Sequence, residues 1–99
     1  MSKQEIIKTI QNVLKQHPYI VKAEIFGSLA RGDFSESSDV DLIMKYDHET
    51  RPKGFYYFGL FIELEERLGR EVDIIEENVL HDFIKDNIKN SREVIYERA

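Results

Sequence analysis

Ninety-nine residues, 41% hydrophobic and 33% charged, suit one small domain folded around a single core. The absence of cysteine excludes a disulfide framework and any cysteine-ligated zinc site. A net charge of −5, with no Lys/Arg cluster longer than a pair, disfavours stable nucleic-acid binding by the chain alone. No apolar run approaches a membrane span or a signal h-region, and the expected location is cytoplasmic.

Taken in order, Lys3 to Lys15 place Ile6, Ile7, Ile10, Val13 and Leu14 at helical spacing, with Ser2 as N-cap. His17-Pro18 ends that helix, because proline disfavours the helical conformation in the residue before it. Ile20–Phe26 is rich in β-formers and reads as a strand, with Lys22 and Glu24 expected on its more exposed face. Gly27-Ser28 ends the strand, Leu29–Arg31 makes a short helical turn, and Gly32 stops it. Asp33–Ser38 is a polar connector, and Asp39–Tyr46 reads as the second strand. Asp47–Gly54, carrying Arg51 and Lys53, is a loop by composition.

Phe55–Leu68 follows as a second long helix, with Tyr57, Leu60, Phe61, Leu64 and Leu68 as its apolar stripe and Gly69 as C-cap. Tyr56 and Phe58 fall off that stripe and are free to face a partner. Glu71–Glu76 is a third strand with Asp73 and Ile75 on one face, and Asn78 caps a last helix carrying Leu80, Phe83, Ile84 and Ile88. Glu93–Tyr96 fits either an edge strand or a helical end. The histidines, His17, His48 and His81, have no metal-ligand spacing and read as surface residues. There is no repeat or linker, so residues 1–99 are expected to form a single domain.

Asp39 and Asp41 carry the chemistry. Residues two apart on a strand share a face, so the two carboxylates project side by side while Val40, Leu42 and Met44 point the other way, toward helices. Paired carboxylates repel unless a cation sits between them, and their oxygens favour hard divalent ions such as magnesium. Gly27 and Ser28 offer backbone N–H groups and a hydroxyl to an anion. If the first strand runs antiparallel to the second, and the helix at 55–68 makes a crossover to a parallel third, Asp73 reaches the same sheet end. The expected architecture is α/β, a small mixed sheet with helices packed on it.

Roles follow from charge. Asp39 and Asp41 would bridge two magnesium ions, Asp73 would ligate the one that activates the attacking hydroxyl, and Ser28 with the Gly27–Ser28 backbone would hold the phosphates of a nucleoside triphosphate. Arg31 would neutralise phosphate charge.

The pattern G-S-x-x-R-G, six residues, then D-x-D resembles the nucleotidyltransferase superfamily that includes DNA polymerase β. With the later R-x-V-D-I-I segment at this length, it resembles the minimal nucleotidyltransferase subgroup. The diagnostic positions Gly27, Ser28, Arg31, Gly32, Asp39, Asp41 and Asp73 are all filled, and Leu29 stands where an aromatic residue is frequent. The resemblance implies the polymerase β-like palm fold and an antitoxin that transfers AMP from ATP to a tyrosine of a small helical HEPN-family toxin, in a hetero-oligomer with it. A chain of this length is expected to lack a second domain with which to bind an acceptor, which agrees with a protein partner that presents the hydroxyl. The alternatives are a non-catalytic antitoxin that acts by binding, and nucleotidyl transfer to an RNA end or a small molecule.

Overall fold

The computed structural model describes residues 1–50, 55–77 and 91–99. Helix α1 (Lys3–Leu14) opens with a capping box: the Ser2 hydroxyl accepts from the Glu5 amide at 3.1 Å, and the Glu5 carboxylate accepts from the Ser2 amide at 3.0 Å. Two orphan donors are thereby satisfied where the helix has no internal acceptor for them. Ile6, Ile10, Val13 and Leu14 then recur on one face and are fully buried.

Strands β1 (Ile20–Phe26), β2 (Val40–Tyr46), β3 (Val72–Glu76) and β4 (Glu93–Glu97) form one sheet in the order β3-β2-β1-β4. β1 is antiparallel to β2 and to β4, and β2 is parallel to β3. Helix α2 (Gly27–Arg31) follows β1 directly, and α3 (Phe55–Leu68) precedes β3. The segment Glu93–Tyr96, which periodicity leaves open, lies within strand β4, paired with β1 from Lys22 to Ile25. Residues 51–54 of the expected loop and the helix expected from Asn78 through Ile88, with His81, lie outside the described residues, as do the side chains of Tyr56 and Tyr57.

The two faces of the sheet differ in chemistry. Ala23 and Ile25 of β1, Val40, Leu42 and Met44 of β2, Val72 of β3 and Ile95 of β4 pack against α1 and against Leu60, Leu64 and Leu68 of α3. The alternate residues, including Glu24, Asp41, Lys45 and Asp73, point to the opposite face. Ties between layers hold this register: Gln11 Nε2 donates to the Ile95 carbonyl at 2.7 Å, and Lys3 Nζ to the Ala30 carbonyl at 3.0 Å.

Three expectations need correction. Glu24 is not on an exposed face; it is 7% exposed and ion-paired with Arg92, which in turn approaches Glu77 at 3.9 Å. A buried carboxylate requires such a partner, and Arg92 lies 68 residues away, beyond the reach of local patterning. Strand β2 starts at Val40, so Asp39 occupies the last connector position instead of the strand itself. His17 is half-buried and bonds Glu63 Oε1 at 3.2 Å, while His48 is exposed.

Candidate active site

Three backbone features bring the acidic residues to one end of the sheet. The β1–β2 register sets Phe26 opposite Asp41, so the turn that follows Phe26 lies against the amino end of β2. The parallel β2–β3 register sets Asp41 opposite Asp73, and register partners in a parallel pair point to the same face. Asp39, two residues before Asp41, completes the group from the connector.

Gly27 stands at the strand-to-helix junction with φ +69°, a conformation that L side chains rarely adopt. A Cβ there would lie 2.6 Å from Asp41 Oδ2, well inside van der Waals contact. Glycine thus serves twice: it permits the turn, and it leaves the Asp41 carboxylate in place against the backbone. At the far end of α2, Gly32 (φ +88°) closes the helix, and the Ser28 carbonyl accepts from the Gly32 and Asp33 amides at 2.9 and 3.1 Å. That closure holds Arg31 at the helix end, where its Nε donates to Asp33 Oδ2 at 3.2 Å.

Electrostatics make the cluster distinct. Partial burial raises the Asp41 carboxyl to about 6; the neighbouring charges of Asp73 and Asp39 and a hydrogen bond with Asp73 push it the same way, and Arg31 offsets part of the rise. The structure therefore brings Asp39, Asp41, Asp73, Gly27 and Arg31 within mutual influence. Among the described residues no three His, Cys, Asp or Glu side chains stand close enough together to encircle an ion. The donors themselves are hard carboxylate oxygens, one held tight against a glycine, and their repulsion is of the kind a divalent cation relieves. In chemistry the residues fit such an ion.

One residue escaped the sequence reading. Arg70, just before β3, donates through Nη1 to the carbonyls of Ser35 at 3.0 Å and Ser38 at 3.2 Å, and its guanidinium lies 5.8 Å from the Phe34 ring centroid. The signal that could have found it is the arginine heading R-x-V-D-I-I, a cation that belongs neither to the helix stripe nor to the strand. On the outer side of β3, Phe58, Phe61, Val72, Asp73 and Ile74 line a groove of about 370 Å³, and Phe58 is 58% exposed.

A mixed sheet that presents acidic residues beside a glycine turn, with helices on its other face, defines a nucleotidyltransferase-type palm. Residues 8–99 match the family described as Polymerase beta, Nucleotidyltransferase, and the chain belongs to that family. A candidate protein adenylyltransferase from Methanocaldococcus jannaschii is 37% identical over 90 residues, which span 91% of this chain and 94% of that protein. A solved structure of a candidate minimal nucleotidyltransferase is 26% identical, with a TM-score of 0.73 over 94% of this chain and 95% of the other. A chain in the solved complex of a tri-AMPylated Shewanella oneidensis HEPN toxin with MNT antitoxin has the same fold. Its TM-score is 0.69 at 14% identity, over 97% of this chain and 73% of that one. The chain is a nucleotidyltransferase of the minimal type and, by that membership, an enzyme. Among the described residues no helix is long and apolar enough to cross a membrane.

Proposed function

We propose that this protein transfers AMP from ATP to a hydroxyl group, a tyrosine in the most economical reading, of a HEPN-family toxin, and that it acts as that toxin's antitoxin in a hetero-oligomer. The observation that carries the reading is the register pairing of Asp41 with Asp73 directly beside Gly27. Relatives named as protein adenylyltransferases support the nucleotide and the reaction type, and the AMP-bearing toxin of the Shewanella complex supports the acceptor class.

In this reading Asp39, Asp41 and Asp73 would hold divalent metal, two magnesium ions in the expected form. When bound, the metal supplies charge neutralisation at the phosphates and a more acidic acceptor hydroxyl. Gly27 and Ser28 receive the triphosphate at the β1–α2 turn, and Arg31 balances its charge from the end of α2. The acceptor oxygen attacks the α-phosphorus in line, forming the new P–O bond as the bond to pyrophosphate breaks. Asp73 takes the hydroxyl proton, and pyrophosphate carries away the bonding pair.

The test incubates the full chain with Mg2+, ATP and the HEPN-domain protein of its own genome, then weighs that protein intact. Mass increments of whole AMP units, absent with Asp39→Asn, are the expected result. A stable complex with no increment would leave only the binding antitoxin, and transfer to RNA ends or small molecules alone would overturn the acceptor.

A further inference from the structure

The peptide units on both sides of Asp39 are held by a single segment. On the amino side, the Ser38 carbonyl accepts from Arg70 Nη1 at 3.2 Å, and the same nitrogen reaches the Ser35 carbonyl at 3.0 Å. On the carboxyl side, the Val40 amide donates to the Glu71 carbonyl at 2.9 Å. Between them, residues 35–38 form a tight turn closed by the Ser35 amide on Ser38 Oγ at 2.8 Å and by the Ser38 amide on the Ser35 carbonyl at 3.2 Å. Residues 70–71 then lead directly into β3 and Asp73. Asp39 lies outside the strand ladder, so nothing in the sheet itself fixes its side chain as the β2–β3 register fixes Asp41.

Arg70 is an unusual residue for a merely structural contact. Its partners are neutral carbonyls, its Nε is buried without a hydrogen-bond partner among the described residues, and its guanidinium plane lies over Phe34. One nitrogen on two carbonyls is within reach of a lysine ammonium as well; what arginine adds is a planar cation beside the Phe34 ring, which lysine loses while keeping the charge. From this bracket we infer that Arg70 is a positioning residue for Asp39. It sets the connector so that the Asp39 carboxylate stands at a fixed distance from Asp41 and Asp73, with the strand that carries Asp73 also holding Asp39. The inference rests on the metal-holding role proposed above for the three carboxylates, and it deepens that role by naming what orients the least constrained of them.

The test uses the full chain with Mn2+ and ATP as probes, reading bound Mn2+ by electron paramagnetic resonance. Arg70→Ala is expected to weaken Mn2+ binding about ten- to a hundredfold, as loss of an outer orienting partner does. Arg70→Lys should fall in between while melting close to the parent protein. The deciding measurement is coupling: in an Asp39→Asn background Arg70→Ala should change affinity by less than about twofold, while in an Asp73→Asn background its effect should persist. General loosening of the fold would weaken binding equally in both backgrounds, and that result overturns the proposal, as does unchanged affinity in Arg70→Ala. A parent protein that transfers AMP and binds Mn2+ while the Arg70 variants match it sinks this inference alone. A parent that binds no Mn2+ sinks the metal reading together with it.

Discussion

Two carboxylates on the same face of the sheet are treated in opposite ways. Glu24 is buried and matched by Arg92, with Glu77 and Lys22 close by. Asp41, opposite Phe26 one step along, is partly buried too, but its nearest charged neighbours include Asp39 and Asp73, and among the described residues Arg31 is the cation that opposes them. A chain that can supply an arginine to one buried acid has left the other in like-charged company. Burial without compensation costs free energy, and a fold retains it where a ligand completes the balance. The difference separates an acid that holds the structure together from the acid proposed above to receive a cation.

The strongest way to break that contrast is to neutralise each acid in turn. Asp41→Asn is expected to lower AMP transfer by at least about a hundredfold, measured as AMP incorporated into the partner. The same change should raise the thermal stability of the metal-free protein. Arg92→Ala should do the reverse: stability falls by about 2–4 kcal/mol, because Glu24 is left buried and unpaired, while transfer by the folded fraction is retained. If both variants lost activity and stability in parallel, the distinction between the two acids would be wrong.

Gly27→Ala probes the backbone side of the site. The left-handed conformation alone costs about 1–2 kcal/mol for an L residue, and the added Cβ would have to displace the Asp41 oxygen now 2.6 Å from its place. Denaturant unfolding should report the first effect. A loss of transfer larger than the stability loss accounts for should report the second.

The legible part of this molecule is the part whose causes are local. Period-two alternation places Val40, Leu42 and Met44 toward the helices, and a crossover through α3 returns β3 parallel to β2. Together these bring Asp73 to the sheet end that carries Asp41, as the sequence predicts, and the strand register then sets the two opposite each other. Alternation assigns Glu24 to a face without telling whether that face is covered, and its partner Arg92 is remote in the chain. Residues 93–97 are too few for periodicity to decide; pairing with β1 decides them. Asp39 reads as strand because it shares the spacing of Asp41, yet the ladder begins one residue later, and a contact from residue 70 does what the ladder does not.

The smallest expected effect is a pH dependence. The Asp41 carboxyl lies at about 6 in the folded chain against an ordinary value near 3.8, so between those values the folded state binds more protons than the unfolded one. Stability contributed by this group is therefore greatest below about pH 4, falls as pH rises through 6, and is level above it. The group is only partly buried, so solvent screens it and the slope is shallow. The difference in melting temperature between the metal-free parent and Asp41→Asn should follow that course, and added Mg2+ should abolish it above pH 6.

The most direct test of the central claim is to locate the ion. Crystals grown with Mn2+ and a non-hydrolysable ATP analogue should show an anomalous peak between the carboxylates of Asp41 and Asp73, with Asp39 in contact and the triphosphate against Gly27 and Ser28. A peak elsewhere, or nucleotide bound with the three carboxylates unengaged, would contradict the account.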